Sequence, residues 1–147
     1  MEIYREWSEL LGLFNEEQID YLIVGGHALA FHGAPRFTGD LDILVRPDSE
    51  NAAKVIKALA ELGFSFPNLT VEDFSSPDQV VQLGVPPIRV DLITSLSGVT
   101  WDEADEGKVR GKLGDVPVHF LGRDQFIATK RATGRKKDLA DLEALGE

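Results

Sequence analysis

Apolar residues recur at three- and four-residue spacings at the start of the chain. Ile3, Trp7, Leu10, Leu11 and Phe14 form a helical stripe that ends near Asn15–Asp20. Tyr21-Leu22-Ile23-Val24 is a short apolar run stopped by Gly25-Gly26, the pattern of a buried strand. His27 to Gly33 fits a short helix with a glycine stop. Leu41, Ile43 and Val45 then alternate with Asp40, Asp42 and Leu44 as in a strand. Asp48 or Ser49 can cap a helix carrying Ala52, Val55, Ile56, Leu59 and Leu62, with Gly63 after it. Residues 64–78, rich in Pro, Ser and Asp, read as loop. Val80–Leu83 and Ile88–Ile93 read as two strands joined by residues 84–87, and Trp101–Glu106 as a short acidic helix. Lys108–Leu113 and Val116–Phe120 make a hairpin around Gly114-Asp115. Helices around Asp124–Thr133 and Lys136–Leu145, broken at Gly134, complete the chain. Strands interleaved with helices predict an α/β (α+β) domain with a mixed central sheet, and residues 1–147 read as one domain without repeats or linkers.

Charge narrows the function classes. Fifteen Lys and Arg stand against 25 Asp and Glu, a formal net charge of -10. Gripping a long duplex needs a broad basic face, so long DNA is not an expected partner, whereas a nucleotide needs only a cation and one local basic cluster. The chain has no cysteine, which removes disulfides, thiolate catalysis, zinc fingers and iron–sulfur centres. No basic-then-apolar leader and no long apolar run are visible, so the expectation is a cytoplasmic protein with no membrane partner.

The chemistry concentrates in residues 21–45, YLIVGGHALAFHGAPRFTGDLDILV. Asp40 and Asp42 lie two apart on the expected strand, so their side chains leave one face. Carboxylates held side by side repel unless a cation sits between them, and hard divalent ions with oxygen ligands fill that role. Gly25-Gly26 ends one strand and opens a helix, where a phosphate can approach free backbone N–H groups. Asp91, between Val90 and Leu92, offers a third carboxylate on a separate strand; sharing a metal would offset the cost of burying it. Taken singly, the Asp pair also fits a solvated strand edge and Gly-Gly a simple turn; the order of the pieces is what singles them out.

That order resembles the nucleotidyltransferase superfamily that includes DNA polymerase beta. Its signature of paired small residues, a spacer, Asp-apolar-Asp-apolar and a later acidic strand residue corresponds here to Gly25-Gly26, residues 27–39, Asp40-Leu41-Asp42-Ile43 and Asp91. The stretches GGHALAFHGAPRFTGDLDIL and IATKRATGRKKDLADLEAL resemble small stand-alone bacterial nucleotidyltransferases related to the AbiEii-type toxins, and the likeness runs from about residue 4 to 145.

The resemblance implies a nucleotidyltransferase fold and transfer of a nucleoside monophosphate from a nucleoside triphosphate to an acceptor hydroxyl. It implies two magnesium ions, with manganese as a substitute, held by Asp40, Asp42 and Asp91 as catalytic residues and metal ligands. It also implies nucleotide contacts at Gly25, Gly26, Arg36, Thr38 and Lys130, with Arg36 and Thr38 lying in the R-x-T-x-D pattern before the aspartates. The implied acceptor is tRNA, a protein or a small molecule, in a toxin–antitoxin-type system. Independently, a small domain with an open site can need a partner, a homodimer copy or a toxin or antitoxin, to complete its acceptor pocket. The rival class is a non-catalytic antitoxin or regulatory module that retains the fold.

Other residues keep two readings each. Arg123, Lys130, Arg131, Arg135, Lys136 and Lys137 crowd six basic residues into a short span of an acidic chain. Solvated helix faces paired with Asp138 and Asp141 are the plain alternative to a binding site. Asp138 either matches a late acidic position of the related toxins or orients a neighbouring Lys or Arg. Arg89, two before Asp91 and on its strand face, pairs either with the carboxylates or with substrate. His27, His32 and His119 lack a metal-binding spacing, and Trp7 and Trp101 read as core or interface.

Overall fold

The computed structural model describes residues 3–34, 39–64 and 68–147. The elements run α1 (Arg5–Glu16), β1 (Tyr21–Val24), α2 (Gly25–Phe31), β2 (Leu41–Val45), α3 (Ser49–Glu61), α4 (Glu72–Ser75), β3 (Val80–Leu83) and β4 (Val90–Ile93). They continue with α5 (Trp101–Glu106), β5 (Val109–Leu113), β6 (Val116–Phe120), α6 (Arg123–Thr133) and α7 (Lys136–Ala144). All six strands join one sheet in the order β3-β4-β2-β1-β6-β5. Parallel pairing of β2 with β4 and of β1 with β6, with the other neighbours antiparallel, makes it a mixed sheet flanked by helices.

The strand alternation divides β2 and β4 into two unlike faces. Leu41, Ile43, Val45, Val90 and Leu92 are buried on one, in a core shared with Trp7, Leu10, Leu11 and Phe14 of α1 and Val55 and Leu59 of α3. Asp42, Asp91 and Ile93 stand half-buried on the other. α3 is fixed at its start by Asp48, whose carboxylate accepts the Asn51 N–H at 2.8 Å.

Apart from shifts of one or two residues, such as α2 starting already at Gly25, three features differ from the sequence reading. Residues 64–78 contain the single turn α4, which no apolar periodicity announces; Phe74 is fully buried and Asp73 accepts the Thr70 N–H at 2.7 Å. β4 begins at Val90 because the Ile88 carbonyl accepts the Trp7 indole N–H at 3.0 Å, outside the ladder. Asp40 falls just before β2 rather than inside it. No described helix is long and apolar enough to cross a membrane.

Candidate active site

Asp42 and Asp91 are register partners on the adjacent parallel strands β2 and β4, so the two carboxylates leave the same sheet face side by side. Val24, the last residue of β1, is Asp42's partner on its other side, and the chain turns there into α2. That turn requires Gly25. Its φ is +67°, and a Cβ at this position would collide with Asp42 Oδ2. The glycine backbone and the Asp42 carboxylate therefore lie in direct apposition. Gly26 is buried within the first turn of α2.

A cleft of about 280 Å³ opens over this junction. Gly25 and Asp42 line one side, and Phe126, Thr129, Lys130 and Thr133 of α6 line the other, with Arg135 and Lys137 at the following helix. The loop after β4 supplies Ser95, Leu96 and Ser97. Gly98 lets this loop press against α6, because a Cβ there would stand 2.7 Å from that of Ala132.

Lys130 is built in rather than draped over the surface. Its side chain is 14% exposed, and Nζ lies 3.3 Å from Asp138 Oδ1 and 3.3 Å from Asp141 Oδ2, both on α7. Nζ also lies 5.3 Å from the centre of the Phe126 ring. Asp138 is 0% exposed. It accepts the Arg135 Nε–H at 2.7 Å, a second guanidinium N–H at 3.2 Å and the Arg135 backbone N–H at 3.1 Å. The Arg135 guanidinium, ahead of the smaller contributions from Thr133 and Lys130, holds the Asp138 carboxyl well below the usual carboxylate range. Of the two readings of Asp138, the structure favours the one in which it orients a neighbouring Lys and Arg. Asp141 pairs with Lys130 as well, and both aspartates are buried rather than on a solvated face.

Solved structures of similar shape include TM1012 of Thermotoga maritima, assigned as a nucleotidyltransferase. It is 17% identical, with a TM-score of 0.63 over 96% of this chain and 88% of that one. The lincosamide antibiotic adenylyltransferase LnuA, solved with lincomycin bound, is 16% identical, with a TM-score of 0.57 over 99% of this chain and 97% of that one. The chain has the nucleotidyltransferase fold. The antibiotic-resistance factor ANT(2'')-Ia, at 14% identity and a TM-score of 0.57, covers 95% of this chain and 80% of its own. No protein-family model matches the sequence, and no curated protein matches it.

Within this nucleotidyltransferase fold the carboxylates form a strongly anionic group. Burial, and next the neighbouring charges of Asp91 and Asp40, push the Asp42 carboxyl up to about 6, against the opposing pull of Lys130 and Arg89. Arg89 resolves its two readings in favour of the carboxylates. Its Nε–H and a terminal N–H donate to Asp91 Oδ1 and Oδ2 at 3.0 and 3.1 Å, and Nε lies 3.6 Å from Asp40 Oδ2. Three oxygen-donor side chains with excess negative charge fit a hard divalent cation by chemistry. By position, no three acidic or histidine side chains among the described residues converge as a metal-binding group.

Of the residues singled out from sequence, Gly25, Asp42 and Lys130 share the cleft lining. Asp91 joins through its register with Asp42, and Asp40 through Arg89. Arg36 and Thr38 lie outside the described residues. Arg123 and Arg131 pair instead with Glu147, at 3.2 and 3.3 Å. The histidines and Trp7 belong to the packing: His27 is buried edge-on against Trp7, and His32 Nε2 meets the Leu121 carbonyl oxygen at 2.7 Å. Trp101 and His119 line a second cleft, of about 270 Å³, with Tyr21, Asp105 and Lys108. Asp141 enters the sequence reading only as a partner on a solvated face, which does not disclose its part in fixing Lys130; its spacing of three from Asp138, on one helix face, is the signal that could have shown it.

Proposed function

We propose that the protein is a magnesium-dependent nucleotidyltransferase moving a nucleoside monophosphate from a nucleoside triphosphate to an acceptor hydroxyl. The observation that carries this reading is that Asp42, Gly25 and Lys130 line one cleft, with Asp91 the register partner of Asp42 on the adjacent strand. The acceptor oxygen attacks the α-phosphorus, the bond to the β-phosphate bridging oxygen breaks, and pyrophosphate leaves. The acceptor proton passes to the carboxylate group, with Asp91 the member that the resemblance assigns to it. Magnesium, when bound by Asp40, Asp42 and Asp91, supplies charge neutralisation for the acceptor oxygen and the leaving group. Lys130, fixed by Asp138 and Asp141, meets the negative triphosphate. The absent Cβ at Gly25 lets the β/γ phosphates reach the backbone, with Gly26 extending the same turn. Arg36 and Thr38 complete the nucleotide contacts by the resemblance.

The acceptor is a hydroxyl of a small molecule, a tRNA or a protein. Likeness to LnuA and ANT(2'')-Ia supports the first, and the basic rim of Arg135 and Lys137 supports an anionic acceptor such as an RNA end. The resemblance to the AbiEii-type toxins supports the last two, which would belong to a toxin–antitoxin pair.

The test is incubation with magnesium and α-labelled nucleoside triphosphates against hydroxyls of lincomycin and other antibiotics, total RNA and lysate protein. Label transferred to one class, with pyrophosphate released, is expected. Nucleotide binding with no transfer to any class would favour the binding-module alternative. Lys130→Ala is expected to weaken triphosphate binding about tenfold, as befits loss of one charge-assisted contact, measured by calorimetric titration. Unchanged affinity would remove Lys130 from the phosphate seat.

Gly25→Ala tests the close approach. A left-handed alanine costs about 1–2 kcal/mol, and its methyl group must displace Asp42. A drop in melting temperature of a few degrees is expected with a roughly hundredfold loss of transfer. Full activity would show that Asp42 and the Gly25 backbone do not act as one unit.

A further inference from the structure

Arg89 holds two of the three carboxylates by a fork that a divalent cation would have to open. The guanidinium takes both oxygens of Asp91 and reaches Asp40, and its side chain is 32% exposed, so it borders solvent rather than the core. A planar guanidinium satisfies a carboxylate through two parallel N–H···O bonds. Both Asp91 oxygens are thereby engaged on their guanidinium side. Asp42 sits beside Asp91 in register, so releasing Asp91 is what would let the neighbouring carboxylates act together on one ion.

We propose that Arg89 is a resident counter-cation: it clamps Asp91 and Asp40 in the metal-free protein and gives way when the divalent ion binds, so that it sets the threshold of metal affinity. This rests on the nucleotidyltransferase reading for the identity of the ion's site. The clamp serves two ends. It offsets the mutual repulsion of Asp91 and Asp40 before metal arrives, and it makes the bare protein a weak metal binder, so that ions are retained chiefly when a triphosphate brings its own ligands. The fork geometry, more than the charge, is the operative feature. Lysine would keep the charge but present a compact, strongly hydrated ammonium without the second parallel bond.

The test titrates manganese, without nucleotide, into metal-free wild-type, Arg89→Lys and Arg89→Met proteins, following free ion by electron paramagnetic resonance. Both variants should bind manganese more tightly than wild type, Arg89→Met by roughly tenfold and Arg89→Lys by roughly threefold, the loss of a charge-assisted fork. Thermal melts of the same proteins should show a larger rise on adding manganese for each variant than for wild type. If Arg89→Met tightens binding and Arg89→Lys matches wild type, only net charge acts and the clamp is overturned. Weaker binding in both variants also overturns it, because Arg89 would then support the metal site. Repeating the titration with a triphosphate separates the two levels. Wild-type manganese binding with no change in the variants defeats the clamp alone. No manganese binding by any of the proteins, with or without nucleotide, defeats the metal-dependent reading as well.

Discussion

Asp42→Asn is expected to lower nucleotide transfer about a thousandfold while raising the melting temperature of the metal-free protein above pH 6. The first half follows from its position. Asp42 is the carboxylate that touches the cleft, the Gly25 backbone and the register partner Asp91 together, and loss of one charged group of this kind removes several kcal/mol of transition-state stabilisation. The second half follows from the same electrostatics. Burial first, then Asp91 and Asp40, lift its carboxyl from the ordinary 3.8 to about 6. A carboxyl with a raised folded-state value holds its proton more tightly when folded than when unfolded. Stability therefore falls as pH rises from about 4 through about 6, and the ionised group is a burden above that window. Asparagine has no charge to desolvate, and its gain above pH 6 is about 2 kcal/mol after allowance for partial exposure, or roughly 4–8 °C in melting temperature. Parallel melts at pH 4.5 and 7.5, with a transfer assay at pH 7.5, check both halves. A variant that melts lower than wild type at pH 7.5, or that retains transfer, would remove Asp42 from the anionic centre described here.

Asp138→Asn carries the second large effect, with the opposite pH behaviour. Asp138 is sealed from solvent and receives hydrogen bonds from Arg135 and Lys130, so an amide in its place presents an N–H₂ group to the donors that surround it. Breaking one member of a buried charged network costs about 3 kcal/mol. Because the folded-state carboxyl lies below its ordinary value, its contribution is complete above pH 4 and is lost as pH falls toward the folded value. Urea unfolding should therefore show a gap of about 3 kcal/mol between wild type and Asp138→Asn at pH 7 that narrows on acidification below pH 4. Triphosphate affinity should fall with it, since Lys130 loses one of the two carboxylates that hold it. A gap independent of pH would mean that shape and not charge makes Asp138 necessary.

What the sequence disclosed depended on how far apart the interacting residues lie along the chain. Strands such as Tyr21–Val24 and the hairpin around Gly114-Asp115 announce themselves through short-range alternation and turn residues, and the helices through their apolar spacing. Asp42 and Asp91 were legible as candidates because an acidic residue in an apolar strand contradicts its surroundings. Their adjacency was not: it depends on the parallel register of β2 on β4, which spans about fifty residues of chain. Asp40 was expected within the strand and lies just ahead of it, so it joins the group through Arg89 and not through the pleat. The lysine-and-aspartate run from 136 to 142 has the composition of a solvated helix, and only the docking of α7 on α6 buries Asp138 and Asp141. α4, a single turn around Phe74, is too short for any period to show.

The tethering of Lys130 to α7 has a consequence for the order in which the molecule comes into being. In chain order α7 follows every other element of the structure, so the ribosome delivers Asp138 and Asp141 after the sheet, the glycine turn and all three aspartates of the anionic centre have been made. During that interval the nascent chain has the carboxylates with Arg89 and carries Lys130 without the α7 aspartates that hold it. On the proposed reading the triphosphate seat is completed only when α7 docks on α6, and a chain interrupted before α7 is expected to lose the two carboxylates that fix Lys130.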